Sequence, residues 1–152
     1  EIASSLVGSE MCIRDSYAAE SGISIAKKYM VDNTSLITGS TQRNLEGDLK
    51  FCKASFFPNL RTSNGITLGR KSLNEIISAS GAEATRLGKF SFEYFIAYSP
   101  DVNGNNSSAK KKSGTNNTLY TIYSCGCNES KDKCNAKSNV IVPLEAVVTL
   151  IN

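Results

Sequence analysis

The stretch Tyr17–Met30, YAAESGISIAKKYM, constrains the fold more than any other part of the chain. Ala19, Ile23, Ala26 and Met30 follow one another at spacings of four, three and four, which puts them on one face of a helix. Ile25 and Tyr29 widen that face, and Glu20, Lys27 and Lys28 are left for water. A helix with one apolar stripe needs an apolar cover. The residues after Met30 are expected to supply it.

The C-terminal half has the period of β-structure. Over Lys89–Tyr98, Phe90, Phe92, Tyr94, Ile96 and Tyr98 alternate with Ser91, Glu93, Phe95 and Ala97. Over Thr118–Cys125, Leu119, Thr121, Tyr123 and Cys125 alternate with Tyr120, Ile122 and Ser124. The two read as a hairpin with an enlarged tip, because Pro100 to Asn117 is rich in Asn, Ser, Gly and Lys and suits an exposed loop. A last strand is expected over Asn139–Ile151, with Val140, Val142, Leu144, Ala146, Val148 and Leu150 in one row. Pro143 removes a ladder donor, so it marks an edge, a bulge or the early part of that strand.

Between these regions, Val31–Asn44 reads as a loop. Leu49–Lys53 permits a short strand that Phe56-Phe57-Pro58-Asn59 ends. Ser63-Asn64-Gly65 is a turn signal, and Ile66–Leu68 a brief strand. Ser72-Leu73-Asn74-Glu75 matches a capping box and opens a second expected helix. Its stripe is Leu73, Ile76, Ile77, Ser80 and Ala84. Gly81 weakens its middle and Gly88 stops it. The fold class is therefore α+β: an N-terminal amphipathic helix packed on a C-terminal antiparallel β-sheet.

The segment Ala18-Ala19-Glu20-Ser21-Gly22-Ile23, followed by a small-apolar helical run, resembles one found in PilX-type minor pilins and GspK-type pseudopilins of the type IV pilin superfamily. There it lies on the long N-terminal helix, just after the membrane-spanning part. The order of elements is similar over Tyr17–Asn152, and the sequence likeness is specific at Ala18–Ile23. The resemblance implies a structural subunit of a type IV pilus tip or a type II secretion pseudopilus, with roles in assembly, surface adhesion or cell–cell contact. It implies other pilin or pseudopilin subunits as partners, and a cell-surface or extracellular ligand. It also implies export to the periplasm or cell surface, with a membrane anchor before assembly.

Residues 1–16, EIASSLVGSEMCIRDS, show no cap, clean period or turn chemistry. Over Ser5–Ser16 they resemble a translated sequencing-adapter read-through, so they are set aside as a non-native or disordered segment. The domain is then 17–152, within the size range of one domain with a substantial core. No run of about 20 apolar residues is present to span a membrane. Membrane contact is expected only through an apolar helix upstream of Tyr17.

Five cysteines are present, and setting aside Cys12 leaves Cys52, Cys125, Cys127 and Cys134. Four cysteines in a short exported chain suggest disulfides. Cys125 and Cys127 sit too close to bridge each other, so one is expected to pair with Cys134 and the other with Cys52. A four-thiolate zinc site is the alternative, although C-x-C departs from the usual C-x-x-C pairs.

With no His, the chain lacks the common proton shuttle and metal ligand. No nucleophile elbow, P-loop, H-E-x-x-H or Rossmann fingerprint occurs. Gly69-Arg70-Lys71-Ser72 lacks the preceding glycine of a phosphate loop and reads as a connection into the capped helix. No catalytic residue, cofactor or metal is expected. The net charge of +3 is modest, and Lys110–Lys112 reads as a solvated loop tip, so no nucleic acid is expected. The six tyrosines read as amphipathic core rings with hydroxyls reaching water. The alternative function is a secreted, disulfide-stapled binding module that uses the loop after Pro100 and the Cys-rich loop for recognition. A small zinc protein is a weaker third reading.

Overall fold

A computed structural model describes residues 2–99 and 117–151. Helix α1 is Ile2–Asp32, and a short helix α2, Thr34–Gly39, follows it. A two-residue ladder joins β1 (Arg43–Asn44) to β2 (Asn64–Gly65). Four longer strands come next: β3 (Thr67–Ser72), β4 (Ser91–Tyr98), β5 (Asn117–Cys127) and β6 (Ile141–Ile151). They form one antiparallel sheet in the order β3-β4-β5-β6, with helix α3 (Gly81–Leu87) in the connection from β3 to β4. The fold is α+β, a helix laid on an antiparallel sheet.

Every residue of β4 is buried, because both faces of the sheet are covered there. On one face Phe92, Tyr94, Ile96 and Tyr98 join Tyr120 and Ile122 against Ala18, Ala26 and Met30 of α1. On the other, Phe95, Ala97, Tyr123 and Cys125 meet Leu45, Phe51, Phe57 and Leu60 from the long segment before β3. Phe95 stacks on Tyr123 at 5.0 Å, and Phe57 closes on that ring edge-first at 4.9 Å. The alternation of large side chains along β4 thus feeds two cores. Full burial of each such ring contributes about 1.5–3 kcal/mol.

The register explains Pro143. It lies opposite Cys125 in β6, which is an outer strand of the sheet, so the missing amide interrupts no inner ladder.

Several sequence expectations need correction. Val31–Asn44 is not a loop throughout, since it holds α2 and β1. Its entry is tied by side chains: Asn33 Nδ2 donates to the Tyr29 carbonyl, and Thr34 Oγ1 to the Met30 carbonyl. Leu49–Lys53 is not a strand, because its amides turn inward to a carboxylate instead of pairing with a neighbour. Gly69–Ser72 belongs to β3 rather than to a connection. The helix expected from Ser72 to Gly88 is a single 3-10 turn at Leu73–Glu75, followed after a gap by α3. Glu75 does reach back to the Ser72 amide at 2.7 Å. However, Leu73 N is held by the Phe90 carbonyl at the end of the β3–β4 ladder. Gly81, at φ +63°, opens α3 in a left-handed conformation rather than continuing a helix.

Helix α1 passes without a break through position 16, the boundary expected from the sequence. Residues 100–116, including Lys110–Lys112, lie outside the described residues.

Candidate functional site

Two places concentrate the unusual chemistry: the seam between α1 and the sheet, and the loop that a buried carboxylate holds against the far face.

At the seam, Ala18, Ala19, Ala26 and Met30 have no exposed surface, and Ile23, Ile25 and Tyr29 pack half-buried at its margins. Of the expected docking face, Ala19, Ala26 and Met30 are therefore buried and Ile23 lies at the rim. Gly22 is buried too and lies close against the sheet. A Cβ there would stand 2.2 Å from Ser124 Oγ and 3.0 Å from the Phe92 ring. Ser124 Oγ donates to the Ala19 carbonyl at 2.8 Å. The small residues of Ala18-Ala19-Glu20-Ser21-Gly22 thus let helix backbone approach strand side chains directly. Tyr17 and Val31 are 50% and 69% exposed, and Glu20, Lys27 and Lys28 face solvent beside them.

The second place is Glu93, whose side chain has no exposed surface although it carries a carboxyl group. The backbone amides of Lys50, Phe51 and Cys52 donate to it at 2.7–3.0 Å, and Arg70 Nε donates to its Oε2 at 2.7 Å. Arg70 also donates to the Asp48 carbonyl. A carboxylate is tolerated inside a protein when such donors replace its water. The sequence reading missed this pair. The available signal was one acid in the middle of a strand otherwise made of aromatic, aliphatic and small residues.

Disulfides complete the arrangement. Cys52 bonds to Cys125, with Cα atoms 5.4 Å apart, and Cys127 bonds to Cys134, with Cα atoms 6.5 Å apart. The zinc alternative falls, since all four thiols are consumed. Among the described residues no group of three or more His, Cys, Asp or Glu is placed to hold a metal. Cys125 lies directly opposite Glu93 in the β4–β5 register, so the long-range disulfide and the buried carboxylate grip the same loop.

The Cys127–Cys134 loop is fastened at its base. Lys131 Nζ pairs with Glu75, Lys131 N donates to Ser72 Oγ, and Ser91 Oγ donates to the Glu129 carbonyl. The Lys131 ammonium and, next, the Ser72 amide hold the Glu75 carboxyl below its usual pKa.

The tyrosines divide. Tyr17 is exposed and Tyr29 half-buried, whereas Tyr94, Tyr98, Tyr120 and Tyr123 are buried. Tyr98 donates to the Ser40 carbonyl. Burial raises the Tyr94 and Tyr120 phenols, and pushes Tyr123 up to about 12. Contrary to expectation, the Tyr123 hydroxyl does not reach water; among the described residues no hydrogen bond of normal geometry reaches it, and the neighbouring Thr121 side chain only partly offsets its burial.

No family model, curated protein or solved structure matches the chain. Among the described residues no helix is long and apolar enough to cross a membrane.

Proposed function

We propose that the protein is a structural subunit of the pilin type, related in role to minor pilins or pseudopilins of a type IV pilus or type II secretion filament. The observation that carries this reading is the division of α1 into two sides. One side is given over to the sheet through Ala18, Ala19, Gly22, Ala26 and Met30. The opposite side leaves Tyr17 and Val31 exposed, available to neighbouring subunits. Such a helix, closed by an antiparallel meander, is the layout that the Ala18–Ile23 resemblance implies. The role is assembly or adhesion without turnover. The protein acts after export, and the two disulfides fit an oxidising compartment.

The test has two parts in the native cell. An uninterrupted genomic read upstream of the Tyr17 codon should encode a prepilin leader and an apolar helix continuous with α1. The tagged protein should co-purify with filaments sheared from the surface. A cleavable signal peptide alone, with the protein free in the medium, would overturn the proposal and favour the secreted binding module.

A further inference from the structure

The segment held by Glu93 and the Cys52–Cys125 disulfide folds around an open cavity of about 300 Å³. That volume is at the lower end for small-molecule sites. Its walls are fixed by several ties. Asn44 and Asn64 stand opposite each other in the β1–β2 ladder. Leu45 N donates to the Ser63 carbonyl, and Ser63 Oγ accepts from Ala54 N at 3.3 Å. The cavity walls are therefore tied to one another by the chain's own hydrogen bonds.

Its lining combines charges that do not satisfy one another. Lys53 and Arg61 both line it, and their side chains have no ion-pair or hydrogen-bond partner among the described residues. Two cations in one concavity favour an anionic group, and Arg adds planar recognition of a carboxylate. Glu46 lines the same cavity. A bare oxyanion would meet Lys53 and Arg61 but be repelled by Glu46. A ligand with one carboxylate and several hydroxyls would satisfy all three, placing its anion against the cations and donating hydroxyl hydrogen bonds to Glu46. Ser55 and Thr62 add hydroxyls that can donate or accept.

We infer that this cavity binds a carboxylate-bearing monosaccharide unit, free or at the end of a surface glycan. The inference does not depend on the filament reading, since binding is measured on the isolated protein. Its failure leaves that reading intact.

The test is NMR titration of the disulfide-intact protein with glucuronate, glucose and inorganic phosphate in parallel at low salt. Glucuronate should shift amide resonances within residues 44–64 saturably. Glucose and phosphate should each bind at least about tenfold more weakly. Arg61→Gln and Lys53→Gln should each weaken glucuronate about tenfold and remain folded, because both residues are exposed. Glu46→Gln should narrow the preference for glucuronate over phosphate. No saturable shift with glucuronate overturns the inference. So does phosphate or glucose binding as well as glucuronate, or unchanged affinity in Arg61→Gln. A glycan ending in glucuronate that binds like the free sugar places the surface glycan within the ligand class; loss of binding restricts it to the free acid.

Discussion

Arg70 and Glu93 face each other across the β3–β4 ladder, and the Arg70 guanidinium donates to a carboxylate with no exposed surface. The same carboxylate collects three consecutive amides, Lys50 to Cys52. A segment without a strand partner thereby satisfies its buried donors. The polar centre does for this loop what a ladder does for a strand.

Glu93→Gln should therefore destabilise by about 3–5 kcal/mol, because a buried amide nitrogen would confront three backbone donors and the half-buried Arg70 guanidinium would lose its partner. Arg70→Met should cost less, since three amides still serve the carboxylate. Urea denaturation followed by circular dichroism checks the order. Equal midpoints for Glu93→Gln and wild type would show that the loop is held by other contacts.

Gly22→Ala should cost about 1–3 kcal/mol, because its Cβ would fall on Ser124 Oγ. Ser124→Ala in the same chain should recover part of that loss, though it removes the bond to the Ala19 carbonyl. The relevant quantity is the coupling in a double-mutant cycle. A coupling of zero would mean that helix and strand do not touch at this point.

The two disulfides should be unequal. Cys52–Cys125 closes a separation of 73 residues and Cys127–Cys134 one of 7. In the chain-entropy description they stabilise by about 4 and about 2.5 kcal/mol respectively. Paired serine substitutions, compared by thermal melting, test the ranking. A larger loss from the short loop would point to its ties through Lys131 and Ser91 instead.

Tyr123 makes alkaline stability predictable. Its phenol is pushed up to about 12 by burial, from an ordinary value of 10.0. The folded state thus holds the proton more tightly than the unfolded one. Its contribution is intact below about pH 10 and is lost as pH rises toward about 12. Tyr123→Phe removes a buried hydroxyl that makes no hydrogen bond of normal geometry among the described residues, so it should be neutral or stabilising at pH 7 and should flatten this part of the alkaline fall. Stability against pH for both proteins is the measurement. Parallel curves would assign the alkaline loss to other groups.

For the seam, Ile23→Asp should destabilise and Lys27→Ala should change little, since Ile23 packs at the rim of the core and Lys27 is exposed. Met30→Asp should cost more than Ile23→Asp, because Met30 has no exposed surface. Melting temperatures rank the three, and equal values would contradict docking through this face.

What the sequence determined by itself was whatever repeats at short range. The stripe through Ala19, Ala26 and Met30 and the alternation along Phe92 to Tyr98 follow from periods of 3.6 and 2, which are set by local backbone geometry. The antiparallel order and the hairpin of β4 with β5 follow from those periods and from the turn-rich stretch between them. The cysteine spacing left two pairings of Cys125 and Cys127 with Cys52 and Cys134, and only the fold chose Cys52–Cys125 with Cys127–Cys134. Only tertiary structure decided the fate of residues 45–65. The amides of Lys50, Phe51 and Cys52 among them answer to Glu93, more than forty residues away, and no local period records such a partner. It also decided that the Ser72 capping signal yields one turn, because the β3–β4 ladder holds the chain there. Gly22 shows both limits: its smallness is visible in the sequence, but the reason for it, Ser124, lies across the seam.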